Sequence, residues 1–175
     1  MKHISIIILS ILILTSCENK ETATESSASK LTSTYYFIRH AEKDRSDSNN
    51  ENPHLIDIGK QRAQHWNEVF KNIDFDAVYS TNYNRTQETA QPTASKNNLN
   101  LVLYDPKTID IQKFLKDTEG KTILVVGHSN TTPDFVNRIL GSQKYVDIDD
   151  SNNSNLYIVT ISGDHISDHL LYINP

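Results

Sequence analysis

Apolar residues recur along the chain in two rhythms, one suited to strands and one to helices, and the two take turns. Tyr35-Tyr36-Phe37-Ile38 is a short apolar run and predicts a buried strand. Residues 44–54 are polar and Asn-rich, hence a loop. Asp57 is expected to cap a helix that carries Gly59, Ala63, Trp66, Val69 and Phe70 on one face. Ala77-Val78-Tyr79-Ser80 predicts a second strand, followed by a helix with Asn84 as cap and Gln87 at capping-box spacing. Leu99 to Tyr104 reads as a third strand and Ile109 to about Lys116 as a helix. Thr122-Ile123-Leu124-Val125-Val126 is the most strand-like run in the chain. Pro133 then opens a helix in its first turn, with Thr132 as cap. After an acidic, Asn-rich loop at 147–155, Leu156 to Ile161 and Ile166 to Ile173 predict two last strands, turned by Ser162-Gly163-Asp164-His165. Strands alternating with helices predict a three-layer α/β/α sandwich on a mainly parallel sheet, the last two strands adding an antiparallel edge.

The first residues follow neither rhythm. Lys2 precedes an apolar stretch from Ile4 to Leu14, interrupted only by Ser5 and Ser10, too short to span a bilayer and suited to a signal-peptide core. It ends in Leu14-Thr15-Ser16-Cys17, which resembles the lipobox of bacterial lipoproteins. That resemblance implies cleavage before Cys17, acylation of its thiol, and a lipid anchor on the extracytoplasmic side of a bacterial envelope. Glu18 to about Ser33 is polar and too poor in apolar residues to offset its own ordering entropy, so it reads as a tether. The expected organisation is therefore a signal at 1–16, a lipidated cysteine and tether at 17–33, and one domain at 34–175. Cys17 is the only cysteine, which rules out a disulfide within the chain.

Composition narrows the partners. A chain of 175 residues, 37% hydrophobic and 22% charged, suits one soluble domain with a proper core. Its net charge of −5 lacks the basic excess of a nucleic-acid surface. An anionic substrate would have to be drawn in by local positive charge.

Such a concentration is expected at one edge of the sheet. Ligands of open α/β sheets bind outside the carboxyl ends of the strands. The first strand is followed by Arg39-His40, the second by a loop leading to Arg85, the third ends at Tyr104-Asp105, and the fourth is followed by Gly127-His128-Ser129. Two arginines, two histidines and a carboxylate thus converge. Guanidinium forks match phosphate oxygens from two sides, and helix N-termini near Asn84 and Thr132 add N–H donors. A histidine among such cations is held neutral, with a nitrogen free to attack phosphorus. A second histidine can donate to the equatorial oxygens, and a protonated carboxylic acid can serve the leaving alkoxide.

Arg39-His40-Ala41-Glu42-Lys43, then Ser80 through Arg85 to Thr89-Ala90, then Val126-Gly127-His128-Ser129-Asn130-Thr131 resemble the histidine phosphatase superfamily. More narrowly they resemble the branch of cofactor-dependent phosphoglycerate mutases and bacterial phosphohistidine phosphatases, and Leu55-Ile56-Asp57-Ile58-Gly59 through Ala63 is similar to the start of that branch's first helix. The resemblance runs from about Tyr35 to the C-terminus. It implies a phosphoglycerate mutase-like fold, His40 as the phosphorylated nucleophile, and Arg39, Arg85 and His128 around the phosphate; Ser129 and Asn130, next to His128 in the chain, are read as further contacts to the substrate. The branch commonly places a glutamate just after the third strand as general acid. Here Asp105 stands there, a shorter carboxylate, with Glu42 and Asp110 as competitors.

The implied activity is a phosphatase working without metal or cofactor, on a small phosphorylated molecule or a phosphoprotein. Two alternatives stand beside it: a mutase-like phosphoryl transferase, and a non-catalytic lipoprotein that binds phosphorylated ligands. Ser129 lacks the surroundings of a serine nucleophile. His165 and His169 share a strand face without a third metal ligand. Asp147, Asp149, Asp150, Asn152 and Asn153 lack the glycine and glutamate of a calcium loop and read as solvated.

Overall fold

A computed structural model describes residues 31–174. The expected signal, Cys17 and most of the tether lie outside the described residues. Six strands form one sheet: β1 (Thr32–Arg39), β2 (Ala77–Thr81), β3 (Leu101–Tyr104), β4 (Thr122–Gly127), β5 (Asn155–Ser162) and β6 (His165–Tyr172), in the order β3-β2-β4-β1-β5-β6. The pairs β1–β4, β2–β4 and β2–β3 are parallel, while β5 runs antiparallel to both β1 and β6. The expected antiparallel edge is present. β5 is its one reversed strand, because β6 turns back again at Gly163, whose φ of +58° suits a residue without a side chain.

The alternation of side chains along the strands divides the core in two. Tyr35, Phe37, Ile123, Val125, Tyr157 and Val159 face one layer, packed on Ile111, Phe114, Phe135 and Ile139 of α3 (Ile111–Asp117) and α4 (Thr131–Leu140). Ile38, Val78, Leu124, Val126 and Leu156 face the other, packed on Trp66, Phe70, Ala90 and Ala94 from α1 (Asp57–Val69), its C-terminal cap and α2 (Asn84–Lys96). Trp66 is fully buried and stacks on Phe70 at 5.6 Å. A three-layer α/β/α sandwich is thus built on β4 and β1, the two strands at its centre.

Several boundaries differ from expectation for local reasons. β1 begins at Thr32, inside the expected tether, because Ser33 is buried and its hydroxyl accepts from the Gly120 N–H at 2.8 Å. The expected caps are displaced by one or two residues. Ile56 precedes α1, and Asp57 turns its carboxylate to Lys60 instead of the helix end. Tyr83 precedes α2, while the Asn84 amide bonds to Asn52 and His54 and the Gln87 amide reaches Asn82, so no capping box forms. Asn130, not Thr132, caps α4, and the Thr132 hydroxyl donates to the Ile38 carbonyl. Asp110 caps α3 by accepting from the Lys113 N–H.

Candidate active site

The register pairs Arg39 with Gly127, so β1 and β4 end together and each releases a histidine at the same level. The His40 N–H still donates to the Gly127 carbonyl at 2.9 Å. The rings of His40 and His128 lie 5.5 Å apart. Gly127 allows this packing: a Cβ there would come within 2.8 Å of the Thr132 hydroxyl and 3.1 Å of the Tyr104 hydroxyl.

The turn after His40 is held from two sides. The Ala41 N–H donates to the Thr89 hydroxyl of α2 at 2.9 Å, and the Asn153 amide donates to the His40 carbonyl at 2.8 Å. Within that turn, His40 Nδ1 lies 2.7 Å from the Ala41 carbonyl. A carbonyl only accepts, so Nδ1 carries the proton and Nε2 keeps its lone pair. His40 is only 4% exposed, and burial, with Arg39, His128 and Arg85 adding to it, lowers its pKa to about 3. At neutral pH it is an uncharged imidazole with a free basic nitrogen.

His128 follows the same logic through different partners. Its Nε2 is 2.9 Å from the Thr81 hydroxyl, which itself donates to the Thr86 hydroxyl, so Nε2 is the donor. Nδ1 faces Arg85 Nη2 across a long 3.5 Å contact. Burial first, then Arg85, Lys43 and Arg39, lower its pKa to about 4. This tautomer changes the expected role of His128. Before an anion arrives its Nδ1 is an acceptor, and it can donate to a phosphoryl oxygen only as imidazolium, a state that bound negative charge favours.

Arg39 is 2% exposed and fixed by a loop 110 residues away. Its Nη1 donates to the carbonyls of Asp149, Asp150 and Asn152 at 2.9–3.0 Å, and its Nη2 pairs with Asp150 at 2.6 Å. Arg45 binds the other oxygen of Asp150 at 2.7 Å, and the two arginines hold that carboxyl down to a pKa of about 2. The 147–155 loop is therefore more than a solvated connection: its main chain orients the buried arginine. Arg85 lies over the Tyr83 ring at 4.4 Å and has no carboxylate partner among the described residues.

These groups line one cavity of about 310 Å³, together with Lys43, Lys107, Ser129, Asn130 and Thr131. Among the described residues, four cationic side chains and a single carboxylate, Asp150, border it. The expected local excess of positive charge is present on a chain that is negative overall. The first turns of α2 and α4 contribute Arg85 and Thr131 to the same space.

Of the expected site residues, Arg39, His40, Arg85, His128, Ser129 and Asn130 come together here. Asp105 does not. It borders the adjoining cavity with Thr81 and Tyr104, and its carboxylate bends back to accept from the Lys107 N–H at 2.9 Å, a local turn that its short side chain favours. The competitors are engaged too: Glu42 is bound by Arg62 Nε at 2.8 Å, and Asp110 caps α3. Sequence reasoning missed Asp150 and Lys43. Nothing local marks Asp150, whereas Lys43 stands within the Arg39–Lys43 motif, three residues after the nucleophile candidate.

Residues 35–106 match the family model described as the histidine phosphatase superfamily (branch 1). The fold is phosphoglycerate mutase-like. Similar solved structures include the protein histidine phosphatase SixA complexed with tungstate, with a TM-score of 0.63, 13% identity, and 79% of this chain and 96% of that chain covered. Phosphoglycerate mutase from Bacillus anthracis superposes with a TM-score of 0.61 at 15% identity, covering 82% and 94%. Phosphoserine phosphatase from Entamoeba histolytica, in complex with 3-phosphoglyceric acid, gives 0.58 at 19% identity, covering 82% and 97%. No curated protein sequence matches the chain.

Proposed function

We propose that this protein is a member of the histidine phosphatase superfamily that hydrolyses phosphate monoesters, of a small molecule or a phosphoprotein, through a phosphohistidine on His40. The carrying observation is the free Nε2 of a buried, neutral His40 within a cavity of guanidinium groups. Arg39 and Arg85 grip the phosphoryl oxygens and His40 Nε2 attacks phosphorus in line with the leaving oxygen. The transferred charge then favours the imidazolium form of His128, which donates from Nδ1 to an equatorial oxygen. Water afterwards cleaves the phosphohistidine.

The ligands named for two similar structures, tungstate and 3-phosphoglyceric acid, are a tetrahedral oxyanion and a phosphate monoester, the class this cavity suits. Hydrolysis is favoured over mutase chemistry by the connection from β3 to α3, residues 105–110, which is too short to form a lid retaining a phosphorylated intermediate. The apolar stretch before Cys17 supports a lipid anchor at the bacterial envelope, facing out of the cytoplasm.

Turnover of p-nitrophenyl phosphate by the full chain, in the presence of EDTA, is expected and should vanish in His40→Ala. A folded His40→Ala protein of undiminished activity would refute the mechanism. A wild-type chain that binds phosphate or vanadate without turnover would instead point to a binding lipoprotein. Incorporation of a labelled fatty acid that persists in Cys17→Ser would refute the anchor.

A further inference from the structure

The cavity holds a nucleophile and several anion-binding groups, yet among the described residues the one carboxylate that borders it, Asp150, is bound by two arginines and is not free to protonate a leaving oxygen. Glu42 is tied to Arg62, Asp105 to its own turn, Asp110 to α3, and Asp150 is spread between Arg39 and Arg45. Expelling an alkoxide without a proton is slow, so a donor is required for ordinary monoesters. The Tyr83 ring lies under Arg85 and edge-on to His128, so it packs the wall of the cavity.

Two lysines, Lys43 and Lys107, also border the cavity, and of these Lys43 shares a second one with His40. It borders the cavity and also the adjoining one that contains His40, Glu42 and Asp150. Its main chain is pinned by an antiparallel bridge to Leu55, so its position relative to His40 is fixed. Its ammonium makes no ion pair or hydrogen bond among the described residues, although Asp150 is close by. Lys43 lines the same opening as His128, Arg85 and Arg39, the phosphate-binding groups.

Building on the phosphohistidine reading, we propose that Lys43 is the proton donor of this reaction. As His40 Nε2 forms its bond to phosphorus, the bond from phosphorus to the leaving oxygen breaks. That oxygen keeps the electron pair and takes a proton from Lys43 Nζ. The neutral amine then accepts a proton from the water that attacks the phosphohistidine, which restores the ammonium. Partial burial and the neighbouring Arg85 and Arg45 lower the pKa of Lys43, which makes its ammonium a better proton donor to the leaving oxygen.

The test is kcat/KM of the full chain on a series of aryl phosphates, from p-nitrophenyl phosphate to phenyl phosphate, for wild type, Lys43→Ala and Lys43→Arg. Nitrophenolate leaves without help and phenolate does not. Wild type should depend weakly on the leaving group. Lys43→Ala should lose about 10²–10⁴-fold on phenyl phosphate and under about 10-fold on p-nitrophenyl phosphate. Lys43→Arg keeps the charge but cannot release a proton, so it should behave like Lys43→Ala. A steep dependence in the wild type itself overturns the proposal without recourse to variants. Equal loss on both substrates, or rescue by arginine, assigns Lys43 to anion binding and also overturns it. His40→Ala is run alongside: if it retains turnover, or the wild type has none on any aryl phosphate, the parent mechanism fails and the proposal falls with it.

Discussion

Both imidazoles of the site are kept uncharged by the folded chain, and that has a thermodynamic consequence at mildly acid pH. The pKa values of His40 and His128 are about 3 and about 4 in the native state, against 6.5 for an ordinary histidine. Between 6.5 and these values the unfolded chain binds protons that the native state refuses. Stability is therefore complete above pH 6.5, falls as the pH drops through that value, and levels off only below the native pKa values. Between pH 7.5 and pH 5.0 each histidine withdraws about 2 kcal/mol. His128 is partly exposed, so its share is discounted and a joint loss of about 3 kcal/mol is expected. Asp150, with a pKa near 2, titrates below this window. Urea unfolding followed by fluorescence of Trp66, the sole tryptophan and fully buried, measures the effect directly. With a urea dependence of about 2 kcal/mol per molar, the midpoint should fall by roughly 1.5 M. Buffers must lack phosphate, because an oxyanion bound to the native state would mask the loss. His40→Asn should remove about half or more of the pH dependence. Equal midpoints at the two pH values, or an unaltered pH dependence in His40→Asn, would refute the reasoning.

Asp105→Asn should leave kcat/KM for phenyl phosphate close to wild type; a drop of about 10²–10⁴-fold would instead make Asp105 the general acid. Asp150→Ala removes one partner of the buried Arg39, at a cost of about 1.5–3 kcal/mol for a hydrogen bond to a charged group. Its KM for p-nitrophenyl phosphate should rise at least about 10-fold, and steady-state kinetics showing an unchanged KM would remove Asp150 from the site. Gly59→Ala would bring a methyl group within 2.2 Å of the Glu42 carbonyl, so it should destabilise the domain by about 1–3 kcal/mol in thermal melts, and an unaltered melt would place α1 wrongly.

The strands and the residues that follow them were legible because buried parallel strands are written as local apolar runs. Tyr35 to Ile38 and Thr122 to Val126 specify the central pair, and Arg39, His40, Gly127 and His128 follow from where those runs stop. Helix caps were less legible. Asn84 and Asp57 are good cap residues by composition, but Asn52 and Lys60 offered their side chains other partners. The hold of Asp150 on Arg39 was not legible at all, since it spans 111 positions and most of it runs through main-chain carbonyls that carry no residue-specific mark. Asp105 was placed correctly at the end of β3, and only the three-dimensional turn reveals that its carboxylate points back to its own backbone.

The pairing of Arg39 with Gly127 has one more implication. Each histidine stands one residue beyond that paired position, so the spacing of two neighbouring strands at the middle of the sheet sets the distance between their main chains. The main chain of the histidine pair is consequently anchored in the central strands. Parting β1 from β4 would therefore take the two histidines apart with them.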